Sequence, residues 1–225
     1  MSFIHKFVDD LAAIRLESVF NPYYDRCKAH DTPDSPKIRR QNLLAYLRAV
    51  EKLDLTSAWF GRDLGYRGGR RTGLALTDEP HLSVFSKIYT GARVKRATIG
   101  PEVSERTATE VWNLLALLPS PPFLWNIFPF HPFEPCNPMS NRAHSVRERE
   151  ICADILAALL DWIKPPKLIA LGADAFRTLN RFGYTCTYVR HPSYGGKADF
   201  VRGVCDLYNL RPDLIDEHYV DRCHQ

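Results

Sequence analysis

The sequence predicts an α/β fold with a mostly parallel, four-stranded central sheet and helices on both faces. Four short apolar runs, at about residues 53–60, 123–128, 167–171 and 185–190, read as buried strands, and stretches of helical period separate them. Strands that alternate with helices imply a parallel sheet with cover on both sides. In such a sheet the loops leaving the carboxyl ends of the strands meet at one crevice. Three of those loops, after the first, second and fourth strands, have unusual compositions.

In chain order, residues 3–17 place Phe3, Phe7, Leu11 and Ile14 at helical spacing, and residues 38–50 repeat the pattern with Leu43, Leu44 and Leu47. Asn21-Pro22 and the stretch 31–36 punctuate the region between them. Both apolar stripes read as core, so the helices within residues 1–50 are expected to pack on the main body. The strand at 53–60 ends at Gly61. A loop follows with Gly65, Gly68, Gly69 and Gly73, the arginines Arg62, Arg67, Arg70 and Arg71, and the acid Asp63. Glycines let backbone amides approach a ligand and clustered arginines suit phosphate oxygens; a solvated surface loop is the alternative.

A short helix near 81–89 leads to a basic patch with Arg93, Lys95 and Arg96. A helix over 104–118 follows, with Val111, Trp112, Leu114 and Leu115 on its apolar face, and the prolines of 119–122 stop it. The second strand opens into the stretch 129–138, too proline-rich for regular structure and too apolar for an idle loop. Ser145 and Glu148 fit a capping box that starts a helix running to about Ile163. Gly172 ends the third strand, residues 173–182 are helical, and the fourth strand ends at His191-Pro192-Ser193-Tyr194-Gly195-Gly196 before a last helix over 198–208. No repeat or linker divides the chain, so one domain over 1–225 is expected. In the segment 211–225, Leu214, Ile215 and Tyr219 favour partial packing.

Thirty Lys and Arg against 26 Asp and Glu give a formal charge of +4, which permits nucleic-acid binding without demanding it. Six cysteines without a Cys-x-x-Cys pair fit a reduced, cytoplasmic setting. No signal peptide, membrane span or obligate protein partner is evident.

Gly61-Arg62-Asp63-Leu64-Gly65, Trp125-Asn126 and His191-Pro192-Ser193 resemble, in order, the three active-site motifs of the uracil-DNA glycosylase superfamily, and the likeness extends over about residues 55–209. The resemblance implies DNA as partner and cleavage of the N-glycosidic bond of a flipped nucleotide, leaving an abasic site. It gives Asp63 the stabilisation of an oxocarbenium-like sugar and the orientation of a water, and His191 a hydrogen bond to the base O2. Asn126 would read the base edge. Ser193, Tyr194, Gly195 and Lys197 would touch DNA, with Tyr194 as a wedge or as packed core, and Arg67, Arg70 and Arg71 would hold phosphates. His131 is the competing histidine and reads as pocket wall or support.

The sequence departs from the family pattern at Leu64, where Pro is common, and at Leu76, where a base-stacking Phe is common. Gly65 stands where the uracil-exclusive branch has a Tyr that bars a 5-methyl group, so Gly65 and Leu76 put the identity of the base in doubt. Uracil or a related pyrimidine is the first expectation. A bulky 5-modified cytosine of phage DNA, excised in antiviral defence, is the second. A catalytically silent DNA-binding module is the alternative of another class, and a phosphate-binding nucleotide protein is weakened by the missing Gly-Lys-Ser/Thr ending. One branch of the superfamily holds an iron-sulfur cluster; Cys152 falls near one ligand position, but the other ligands are not evident, so neither cluster nor zinc nor any other cofactor is expected.

Overall fold

The computed structural model describes residues 2–210; the expected packing of Leu214, Ile215 and Tyr219 lies outside them. Helix α1 (Phe3–Ala13) buries Ile4, Phe7, Val8 and Leu11, the single stripe of an amphipathic helix. It ends before the expected 17 because Ile14 is extended, at φ −69° and ψ 134°. Strand β1 (Val19–Phe20) follows, then α2 (Ser35–Val50), which opens with Pro36 in its first turn, where a missing N–H costs no hydrogen bond. The apolar residues of α1 and α2 join the same buried cluster as the sheet.

Next come β2 (Ala58–Gly61), the helical turn α3 (Gly69–Thr72), α4 (Leu82–Ile88), α5 (Arg106–Leu115), β3 (Phe123–Asn126) and β4 (His131–Pro132). The chain continues through α6 (Val146–Ile151), α7 (Ala153–Ile163), β5 (Leu168–Leu171), α8 (Ala173–Arg181), β6 (Thr187–Val189) and α9 (Lys197–Tyr208). The helix expected over 145–163 breaks in two at Cys152, whose ψ of 2° leaves the helical range. Its start is as the sequence predicts: Ser145 Oγ accepts from the Glu148 amide, and Glu148 returns a bond to the Ser145 amide.

The main sheet has the order β3-β2-β5-β6 with every neighbouring pair parallel. This is the predicted α/β architecture. Every residue of β2 and β3 is buried, as strands covered on both faces must be. Trp59 sits in that layer and donates its indole N–H to Tyr208 Oη at 2.7 Å, which ties α9 to the central strand. Because β3 lies on one side of β2 and β5 on the other, the chain reverses its direction of advance at β2, and the crevice forms at the carboxyl ends beside that reversal.

A second, two-stranded sheet was not legible in the sequence. It pairs β1 with β4 antiparallel, Val19 opposite Pro132 and Phe20 opposite His131. The proline-rich stretch thus enters a sheet only at an edge, where a missing N–H is tolerated.

Candidate active site

A cavity of about 500 Å³ opens at the carboxyl ends of the four parallel strands. Asp63, Gly65, Leu76, Asn126, His191, Ser193 and Tyr194 all line it. The three sequence motifs, 128 residues apart from Asp63 to His191, therefore meet in one place.

Asn126 is the last residue of β3 and stands in register with Gly61 of β2. A Cβ at Gly61 would lie 2.3 Å from Asn126 Oδ1 and 3.0 Å from Leu76 Cδ2, so the bare backbone there is what admits both side chains to the wall. Asn126 is buried, yet its Oδ1 meets no hydrogen-bond partner among the described residues. An unsatisfied buried acceptor is costly unless a ligand fills it. Leu76 holds a left-handed backbone, φ 54°, and its carbonyl accepts from the Trp112 indole at 3.1 Å. A leucine in that region costs of order 1 kcal/mol or more, the kind of strain that collects at ligand sites.

Asp63 follows β2, and its side chain is almost wholly buried. Arg62 Nε approaches one carboxylate oxygen at 2.5 Å, and His144 Nδ1 hydrogen-bonds the other. His144 packs against Phe128, with ring centroids 5.2 Å apart, so the acid is held from two directions. Arg62 also reaches Asp174 at 3.1 Å.

His191 leaves β6 and packs on Gly172, where a Cβ would stand 3.1 Å from the histidine Cβ. The Ser193 amide donates to His191 Nδ1 at 3.2 Å. An amide N–H can only donate, so Nδ1 is the acceptor and the neutral ring carries its proton on Nε2. Burial, then the charges of Arg62 and Arg190, push its pKa down to about 4 against the opposing pull of Asp174. The ring is a neutral N–H donor at ordinary pH.

Tyr194 is 93% exposed with φ 53°, a ring presented to solvent at the rim rather than packed core. Gly195 beside it has φ 76° and is open on its Cβ side. Lys197 begins α9 with its ammonium 3.1 Å from Glu110, and Arg67 is exposed beside the Tyr66 hydroxyl.

Two of the expected phosphate ligands are corrected. Arg70 is buried, hydrogen-bonded to His131 Nδ1 at 3.1 Å and to the Pro138 carbonyl, with its guanidinium 4.1 Å from the Phe20 ring centroid. Arg71 is buried against Glu79 at 2.8 Å and Thr98 at 3.0 Å. The helical turn α3 points both inward, and their charges are spent inside the fold. His131 is likewise fully buried between Arg70 and the Ser140 carbonyl and forms no part of the cavity wall. The space expected to be free above Gly65 holds the carboxyl of Glu105.

Sequence reasoning missed Glu105 and His144, which come from segments with no motif. It also missed the cavity rim of Arg142, Arg177 and Arg190, cations scattered over three segments that only the fold assembles. Among the described residues no group of three or more His, Cys, Asp or Glu is placed to hold a metal ion. Cys152 is buried, which pushes its thiol pKa up to about 12.

No protein-family model matches the chain, and no curated protein matches it. Among solved structures, the crystal structure of wild-type SMUG2 from Pedobacter heparinus matches with a TM-score of 0.62, covering 93% of this chain and 98% of that one at 11% sequence identity. SMUG2 belongs to the uracil-DNA glycosylase superfamily. The chain has a uracil-DNA glycosylase fold. Within that fold, Asp63 and His191 follow β2 and β6 and Asn126 ends β3, all at the carboxyl ends of the parallel strands.

Proposed function

We propose that the protein is a monofunctional DNA glycosylase that hydrolyses the N-glycosidic bond of a flipped uracil or related pyrimidine and leaves an abasic site. The observation that carries the reading is the meeting of Asp63, Asn126 and His191 in one cavity, with the His191 proton on Nε2 and Asn126 Oδ1 unpartnered. The uracil-DNA glycosylase fold supports it.

As the glycosidic bond breaks, positive charge gathers on the sugar and negative charge on the departing base. Asp63, held by Arg62 and His144, faces the first as a fixed anion and orients the attacking water. His191 donates Nε2–H to the base O2, where the second collects. A neutral donor suits this role because no proton need be lost before it acts. Asn126 pairs with the base edge, its amide supplying an acceptor for an N–H and a donor for a carbonyl. Among the described residues no lysine lines the cavity, so no amine stands ready to form a Schiff base with the sugar. Arg177 and Arg190 line the cavity and serve as phosphate contacts, with the exposed Arg67 and Lys197 as further ones outside the cavity lining, and affinity is expected to fall with salt. Tyr194, projecting from the rim, fills the stack that the flipped base vacates.

The test is base release from matched oligonucleotides carrying uracil, thymine, hypoxanthine or a 5-modified cytosine, followed by alkaline cleavage at any abasic site. Release of at least one base is the expected result. Tight, salt-sensitive binding with no release from any of them would favour the silent binding module and sink the catalytic roles.

A second expectation concerns Gly61. Gly61→Ala puts a methyl into the space of Asn126 Oδ1, so it should cut the rate of base release by about tenfold or more while circular dichroism stays native. An unchanged rate would remove Asn126 from contact with the base.

A further inference from the structure

Glu105 immediately precedes α5, and its side chain does not cap that helix. It turns instead over the loop after β2. A Cβ at Gly65 would stand 2.0 Å from Glu105 Oε1, and one at Gly68 would stand 2.0 Å from Oε2. The carboxyl thus lies across the turn from Gly65 to Gly68, and only residues without a side chain leave it room there. Its position is fixed from behind, where the Glu105 amide donates to the buried Asp78 carboxylate at 2.7 Å.

From this seat the carboxyl forms part of the same wall as Asp63, Asn126 and His191. Burial and the neighbouring Asp78 push its pKa up to about 7, with the Arg67 charge opposing, and no hydrogen bond from a described residue contributes. Glu105 is half-buried, and it lines the cavity. The cavity is where a donor can reach it.

We infer that Glu105 is a specificity-determining residue of the base pocket, accepting a hydrogen bond from a donor on the exocyclic edge of the bound pyrimidine, an amino group or a substituent hydroxyl. The substrate class rests on the glycosylase reading above. Uracil offers only a carbonyl oxygen and C–H groups on that edge, so the ionised carboxylate is repelled by O4 and left unsatisfied, and uracil fits only the protonated form. A 4-amino group satisfies it, as Glu and Asp do when they accept from cytosine N4. A hydroxyl carried on the 5-position does the same. Asn126 serves either kind of base, because its amide presents an acceptor and a donor on one planar group.

The experiment uses four matched oligonucleotides bearing uracil, thymine, 5-hydroxymethyluracil or cytosine at one position. Uracil has neither donor, thymine has bulk without a donor, and the last two carry the hydroxyl and the amine separately. Two quantities are read: single-turnover base release by the wild type and Glu105→Gln, and affinity for each oligonucleotide of Asp63→Asn with and without Glu105→Gln. One or both donor-bearing bases should exceed uracil and thymine by about tenfold or more, and Glu105→Gln should erase that ratio, since an amide can donate to O4. Preference for one donor alone assigns the group that Glu105 reads. A wild type that favours uracil, or ratios unmoved by Glu105→Gln in a protein with native circular dichroism, overturns the inference. Donor preference in binding without any base release would instead sink the glycosylase reading and leave the role of Glu105 standing.

Discussion

Asp63→Asn should lower single-turnover base release by about 10²–10³-fold or more, the scale set by removing one preorganised electrostatic contact, while DNA affinity holds or rises. The geometry gives the reason. Asn keeps the shape and one acceptor, enough for Arg62, while it removes the negative charge proposed to face the developing cation and turns an amide N–H toward His144. DNA is a polyanion, so losing an acid from the cavity wall cannot weaken its attraction for the protein. His191→Ala should produce a loss of similar size by deleting the donor to O2. With its pKa at about 4, His191 stays neutral above about pH 5, so the wild-type rate should show no titration of this ring between pH 6 and 8. Fluorescence anisotropy and rapid-quench base release on the same oligonucleotide separate binding from chemistry. Affinity falling in step with rate would make Asp63 a binding group rather than one that acts on the sugar.

Arg71→Ala should destabilise the fold by about 3–5 kcal/mol, the usual cost of removing one partner from a buried ion pair. Burial alone would raise the pKa of Glu79, but hydrogen bonds from Thr98, Arg71 and Arg96 together hold it below the ordinary carboxylate value. The Val103 amide adds a fourth contact at 3.0 Å. Without Arg71 the fully buried Glu79 keeps its charge but loses its closest cation. Arg67→Ala, four positions earlier, should change stability by less than about 0.5 kcal/mol, as exposed substitutions do, and should flatten the salt dependence of DNA binding. Urea denaturation and salt titrations of the two variants distinguish the roles. Equal, small stability changes would return Arg71 to the surface.

This contrast marks the limit of what the sequence discloses. The four strands, their parallel direction and the convergence of Asp63, Asn126 and His191 were legible, because apolar period and loop position follow directly from chain order; the strand order was not. The four arginines of the glycine loop looked alike in sequence. The separation of the half-buried Arg62 and exposed Arg67 from the buried Arg70 and Arg71 depends on α3, a single turn of helix too short to leave a period. Glu105 and His144 were invisible for another reason: Glu105 enters the cavity wall, and His144 the contact with Asp63, from segments distant in sequence from the three motifs. The glycines misled in part, since Gly65 and Gly68 admit a carboxyl of the protein itself rather than a phosphate.

The small β1–β4 ribbon bears on how the active site is built. Beyond its two pairs, the Phe133 amide donates to Ser18 O at 3.0 Å, and Arg142 donates to the same carbonyl at 3.1 Å and to Phe133 O at 3.0 Å. Arg142 lies two residues before His144, the partner of Asp63. The segment around residues 18–20 is therefore a brace on the loop that holds Asp63, and a change made there is expected to reach that carboxylate without entering the cavity.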